Sequence, residues 1–246
     1  MSPDDLMPVP ILTYHQIDAA APRGARFRSL VVAPEAFARQ MGLLKALGYQ
    51  GLGMTALQPY LRGDKRGKVV GITLDDGYLN NLTHALPVLQ RHGFSATCYC
   101  VSQRLGFTNS WDADLGIAQT PLMNAAGLRE WVGAGQEVGA HTRTHARLNQ
   151  LDQAHATKEI AGCKAELEDI TGQRIDHFCY PFGEFNSGHV EMVKRAGFQT
   201  ATTTVRGRVN AGDDLFVLPR VPVLRSTILP VFWAKLATGY EDRRRA

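Results

Sequence analysis

The stretch Lys68–Tyr78, KVVGITLDDGY, constrains this chain more than any other. Its apolar run, Val69–Leu74, is short and rich in β-branched residues, the pattern of a buried strand. Side chains alternate between faces along a strand, so Asp75 and Asp76 cannot both point into an apolar core. The strand therefore ends at them, and Gly77 permits a sharp exit. Adjacent carboxylates also repel unless a proton or a cation lies between them. Asp-Gly is a common turn signal as well, so a plain polar turn accounts for this stretch when it is taken alone.

Strand-like and helix-like patterns alternate along the rest of the chain. Ile11–Tyr14, Phe94–Val101, Val138–Ala140, His177–Tyr180, Phe198–Thr204 and Leu215–Val223 read as strands, the last interrupted by Pro219. Helical spacing marks Pro34–Leu47, Asn81–His92, Pro121–Gly135, Gln153–Ile170, Ser187–Ala196 and Thr227–Thr238, with a short helix over Ala56–Arg62. Leu105–Thr120 has no regular signal and reads as a long loop; Trp111 and Asp112 within it are candidates to border a groove. Such alternation implies parallel βαβ units. About seven of them fit an α/β chain closed, or nearly closed, into a (β/α) barrel, with an open doubly wound sheet as the alternative. No repeat or linker interrupts the 246 residues, so a single domain over 1–246 is expected, with its core over about 10–238 and a frayed basic tail, Arg243–Arg245.

Composition removes several classes. A formal net charge of +4, much of it in the tail, with no basic patch interleaved with aromatics, does not imply nucleic acid. No apolar stretch approaches a membrane span, and the N-terminus lacks a basic segment followed by a long apolar one. Cys98, Cys100, Cys163 and Cys179 form no CxxC pair and read as small buried thiols, which fits a reducing, cytoplasmic setting.

Residues able to do chemistry recur directly after the strands. His15 follows the first, Asp75 and Asp76 the next, His141 and His145 follow Val138–Ala140, Tyr180-Pro181-Phe182 follows another, and Arg220 comes late. In either fold these loops share one face, and such convergence is improbable as accident. His141 and His145 stand four apart, so both can reach one cation from a tight turn. Two imidazoles and a carboxylate leave open positions for water and substrate, the usual form of a catalytic zinc site. The HExxH protease pattern fails, because Thr142 follows the first histidine. Of the other histidines, His84, His92, His155 and His177 read as surface or helix-end residues; Trp131 reads as packing and Trp233 as core.

Thr73-Leu74-Asp75-Asp76-Gly77 resembles the first motif of the polysaccharide deacetylases, carbohydrate esterase family four, with Leu in place of the usual Phe. His141-Thr142-Arg143-Thr144-His145 resembles their second motif, HTxxH, and Phe178–Gly183 their third, which walls the substrate groove. Leu12–His15 and Leu218–Arg220 resemble the branch that includes poly-N-acetylglucosamine deacetylases, in which an N-terminal histidine replaces a C-terminal one. The resemblance implies a distorted (β/α)7 barrel and hydrolysis of an N-acetyl or other small N-acyl group from an amino sugar or polysaccharide. It implies that Asp76, His141 and His145 hold a divalent metal, zinc first, with nickel, cobalt or iron as alternatives. Asp75 would be the general base toward water, His15 the general acid toward the leaving amine, and Arg220 the partner of Asp75. The backbone N–H near Phe182 would help bind the oxyanion, and Tyr180, Pro181, Phe182 and Trp111 would line the groove.

The chain departs from the pattern at two places. Cys179 stands where the third motif often carries an arginine, so either Arg220 substitutes or the base is tuned differently, and Phe182 replaces a common tyrosine. Polymer and soluble or lipid-linked precursor both remain open as substrates. Two other readings are a catalytically silent carbohydrate-binding barrel and a metal-independent relative acting on cyclic amides; the intact Asp-His-His set argues against both.

Overall fold

The computed structural model describes residues 7–244. The expectation of no leader at the extreme N-terminus, and Arg245 of the expected tail, lie outside the described residues. The first half of the chain gives β1 (Ile11–Tyr14), β2 (Gln16–Ile17), β3 (Val31–Val32), α1 (Pro34–Ala46), β4 (Gln50–Leu52), α2 (Met54–Leu61), β5 (Val69–Leu74) and α3 (Leu86–His92). The second gives β6 (Thr97–Cys100), α4 (Ala125–Gly133), β7 (Glu137–Ala140), α5 (Gln153–Thr171), β8 (His177–Cys179), α6 (Ser187–Arg195), β9 (Thr200–Arg206), β10 (Leu218–Pro222) and α7 (Leu229–Ala237).

The strands pair in parallel in the order β1-β10-β9-β8-β7-β6-β5, and β5 pairs back onto β1. That closes the seven-stranded barrel. The distortion has a local origin. One edge of β5 is taken by β1, from Gly71 to Leu74. The other edge is shared: β4 pairs with Val69–Gly71 and β6 with Thr73 and Leu74. The short strand β4 thus wedges β5 and β6 apart in their lower halves. Every residue of β5 is buried, as expected for a strand covered on both faces. Helices pack outside; α1, for instance, turns Phe37, Met41 and Leu44 inward at helical spacing, with Phe37 edge-on to Tyr14 at 5.1 Å.

Several expectations are corrected. The helix expected from Pro121 begins at Ala125, because Leu122 pairs with Tyr78 and the Asn124 side chain caps the helix by accepting from Gly127 N–H. The helix expected from Asn81 opens with a π-helical turn, Asn81–Ala85, whose Asn81 side chain donates to the His15 carbonyl at 2.9 Å. The loop after β6 contains a 3-10 turn, Ser110–Leu115. His177 is no surface residue: it is 1% exposed, with Nδ1 2.8 Å from Thr200 Oγ1 and Nε2 3.3 Å from Glu137. Trp233 is not core, since α7 faces Phe232 and Leu236 inward instead. Residues 239–244 do not fray: Asp242–Arg244 forms a 3-10 turn, Glu241 is buried against Arg206 and Lys235, and Arg208 pairs with Asp242 at 2.7 Å. Among the described residues no helix is long and apolar enough to cross a membrane.

Candidate active site

Parallel pairing sets every strand's C-terminal end at the same mouth of the barrel, and the residues singled out from the sequence follow. His15 leaves β1, Asp75 and Asp76 leave β5, His141 leaves β7, Tyr180 leaves β8, and Arg220 lies within β10. Backbone strain is concentrated here. Of five non-glycine residues with positive φ among the described residues, four stand in these loops: Asp76 (74°), Thr142 (62°), His145 (62°) and Phe182 (60°). Each such conformation costs on the order of 1–3 kcal/mol and persists only where its surroundings dictate it. Part of that support comes from α5. Glu159 accepts from the backbone N–H groups of Arg143 at 2.8 Å and Thr144 at 2.9 Å, pinning the turn between the two histidines. Glu166 accepts from Arg143 and from Ser102 at 2.5 Å. Neither glutamate was marked by sequence reasoning; their spacing of seven on one helix was the available signal.

Asp76 Oδ1 lies 3.4 Å from His141 Nε2 and 3.4 Å from His145 Nε2, with all three residues buried. The His141 Nδ1–H donates to the Cys179 carbonyl at 2.8 Å, which turns Nε2 toward Asp76. Burial would lower this imidazole's pKa, but Cys179 and Asp76 outweigh it and hold it well above the ordinary histidine value, so Nε2 carries a proton that a cation there would displace. Burial holds His145 below the ordinary histidine value despite Asp76, favouring the neutral, ligating form. Burial also pushes Asp76 upward, but both histidines outweigh it and hold this carboxyl well below the usual range. These atoms fit a cation. Two ligands about 2.0–2.1 Å from a tetrahedral zinc ion stand ~3.3–3.4 Å apart, and a carboxylate with two imidazoles is a common donor set for it.

Asp75 points to a different partner. Arg220 grips it with two hydrogen bonds, Nη1 to Oδ1 at 2.8 Å and Nη2 to Oδ2 at 2.7 Å, and both residues are buried. Arg220 is itself aligned by the Thr203 carbonyl at 2.9 Å and reaches Cys179 Sγ at 3.2 Å. Burial would raise the Asp75 pKa, but the guanidinium outweighs it and holds the carboxyl below its ordinary value. His15 Nε2 stands 4.0 Å from Asp75 Oδ2, on the open side.

These groups floor a cleft of about 200 Å³. Its walls are aromatic: Trp111 stacks on His145 at 4.4 Å, Phe182 meets His145 edge-on at 4.5 Å, and Tyr180 completes one side. Pro181 is buried and is not among the residues that line the cleft. Gly183, at φ 70°, follows Phe182; any Cβ there would overlap the Thr204 side chain. Tyr78, Thr204 and Phe27 also line the cleft, and no pattern in the sequence marked them. A larger cavity of about 460 Å³, beneath Val9, Tyr49 and Leu236, brings together none of these site residues.

A family profile described as "Polysaccharide deacetylase" matches residues 62–201, which takes in Asp75, Asp76, His141 and His145 but neither His15 nor Arg220. The chain is 24% identical over 198 residues to the poly-beta-1,6-N-acetyl-D-glucosamine N-deacetylase of Staphylococcus epidermidis, covering 78% of this chain and 68% of that one. A polysaccharide deacetylase from Bacillus cereus is 30% identical, with a TM-score of 0.78 over 94% of this chain and 69% of its own. A Streptococcus pyogenes deacetylase solved with acetate shares the fold, at 24% identity and a TM-score of 0.81 over 94% of this chain and 98% of its own.

Proposed function

The chain belongs to the polysaccharide deacetylase family, hydrolases of amide carbon–nitrogen bonds, and from that premise we propose that it removes an N-acetyl group from an amino sugar with the help of a divalent metal. The observation that carries this reading is the approach of Asp76 Oδ1 to two imidazole Nε2 atoms at 3.4 Å each. Asp76, His141 and His145 would hold the metal. A divalent ion there supplies Lewis acidity: it polarises the acyl oxygen and makes water acidic enough to lose a proton near neutral pH.

The chain's own residues perform the remaining tasks. Asp75, kept ionised by Arg220, takes the proton from the attacking water. Arg220 fixes both carboxylate oxygens and so sets the direction in which Asp75 accepts. As the water oxygen bonds to the acyl carbon, charge grows on the acyl oxygen, and the backbone N–H near Phe182 would donate to it. His15 gives a proton to the sugar nitrogen as the carbon–nitrogen bond breaks, releasing amine and acetate. An amine leaves poorly without that proton, and His15 lines the cleft with Nε2 4.0 Å from Asp75 Oδ2. Trp111 and Phe182 enclose the acyl end and exclude water from it.

The test is acetate release from a panel of N-acetylated amino sugars, from N-acetylglucosamine to its β-1,4- and β-1,6-linked oligomers, by protein carrying one zinc. Release from at least one substrate, abolished in Asp75→Asn, is the expected result. Zinc-loaded protein that binds these sugars yet releases no acetate would overturn the proposal.

A further inference from the structure

The cleft contains one carboxylate for which the proposed chemistry has no use. Asp112 belongs to the 3-10 turn after β6, is 8% exposed, and lines the cleft beside Trp111. Its segment is a built wall. The buried Asn109 side chain accepts from Thr120 N–H at 2.6 Å and donates to the Ala118 carbonyl at 3.2 Å. Met123 N–H donates to the Gly77 carbonyl at 2.9 Å, fastening the wall to the turn that carries Asp76. Arg26 Nη1 donates to the Leu115 carbonyl at 3.2 Å, tying the wall to the loop on the other side of the mouth.

Charge around the cleft is unevenly matched. Arg220 is the lone arginine or lysine lining it among the described residues, and Asp75 occupies both of its terminal nitrogens. Asp76 faces the two histidines. Asp112 forms no ion pair among the described residues: the Trp111 side chain donates one hydrogen bond to it, and of the two basic side chains whose charge reaches it, Arg147 is bound to Glu184 and His15 stands beside Asp75. A buried carboxylate without an ion-pair partner is unfavourable, and the single donor from Trp111 leaves most of its acceptor capacity open. The open space in front of Asp112 is where substrate would lie.

Resting on the reading above, we propose that Asp112 is a substrate-binding carboxylate: it accepts a hydrogen bond from a hydroxyl or ammonium group of the amino sugar and repels sugars bearing phosphate near that point. The substrate class that follows is a neutral or partly deacetylated amino-sugar chain rather than a sugar phosphate or nucleotide sugar. Partly deacetylated chains carry ammonium groups, which such a carboxylate attracts.

Two variants separate the hydrogen bond from the charge. Asp112→Ala removes both, whereas Asp112→Asn is isosteric, keeps an acceptor oxygen and removes the charge. Zinc-loaded wild type and variants are assayed for acetate release from an N-acetylglucosamine tetramer, the same tetramer with one free amine, and N-acetylglucosamine 1-phosphate. In Asp112→Ala, KM for the tetramer rises at least tenfold while kcat changes less than threefold. In Asp112→Asn, kcat/KM for the sugar phosphate relative to the amine-bearing tetramer rises at least tenfold. A loss confined to kcat, or an unchanged ratio in folded Asp112→Asn protein, overturns the assignment. If wild type releases no acetate, the general reading fails, and dissociation constants of the same sugars for Asp75→Asn and Asp75→Asn/Asp112→Ala test Asp112 alone. A tenfold difference there supports it, and equal constants refute it.

Discussion

Replacing Arg220 by methionine probes the charge arrangement around Asp75. Arg220 is 2% exposed and Asp75 3% exposed, and two hydrogen bonds of 2.8 and 2.7 Å join them. Methionine keeps much of the length and apolar volume but removes the charge, leaving a buried carboxylate facing Cys179 and Tyr99. Removing one partner of such a pair costs roughly 3–5 kcal/mol. For a chain of this size each kcal/mol moves Tm by about 2–4 °C, so a fall of ~6–20 °C is expected. The pH dependence has a definite sign. Asp75 titrates below its ordinary value of 3.8 in the folded protein. Its contribution is therefore complete above that value and is lost as pH falls through the lower folded one. The gap between wild type and Arg220→Met should be full at pH 7 and smaller at pH 3. Urea unfolding followed by circular dichroism measures it, with chelator present so that no cation compensates Asp75. Adding Asp75→Asn to Arg220→Met should recover part of the loss, because no buried charge then remains. A cost under about 1 kcal/mol at pH 7, or equal costs at both pH values, would refute the reasoning.

Two further perturbations test the frame that holds the site. Glu137, at the opposite end of the barrel, accepts from Thr55 and Thr97 and faces His177, which together hold its carboxyl to about 2 against an ordinary 4.5 in spite of burial. That separation corresponds to about 3 kcal/mol, present above pH 4.5 and lost as pH falls toward 2; Glu137→Gln should be destabilised by about that much at pH 7 and hardly at all at pH 2, as urea titrations at the two pH values would show. Gly183→Ala places a methyl group against Thr204 in a left-handed turn, so a loss of more than about 1 kcal/mol is expected; an unchanged melting temperature would mean that the turn after Phe182 relaxes freely.

What was legible in the sequence was what the chain repeats or concentrates. Val69–Leu74 reads as a buried strand because it is covered on both faces, and Asp75, Asp76, His141 and His145 stand at fixed offsets from strand ends. The alternation of patterns was enough for parallel βαβ units but left a closed barrel and an open sheet both possible; the family resemblance decided between them. Elements held by backbone pairing alone left no periodic trace: β2 and β3 have two residues each, and the wedge β4 has three. The helix starting at Ala125 has no legible start, because Leu122 and Met123 continue its apolar spacing while pairing elsewhere. A single residue such as His177 has no pattern at all; its burial follows from Glu137 and Thr200 on the neighbouring strands β7 and β9. Arg220 was legible as the substitute for the arginine missing at Cys179, and the two side chains do meet, at 3.2 Å. The wall built by Asn109 and Asp112 lies in a segment whose order comes from side-chain-to-backbone hydrogen bonds, which leave no hydrophobic period to read.

The most direct measurement is the zinc content of purified wild type and of four single variants after equilibration with the metal and exhaustive dialysis. One equivalent is predicted in wild type and in Asp75→Asn, the latter without turnover, and close to none in Asp76→Ala, His141→Ala and His145→Ala. Full zinc occupancy in the last three, in proteins that remain folded, would contradict the account.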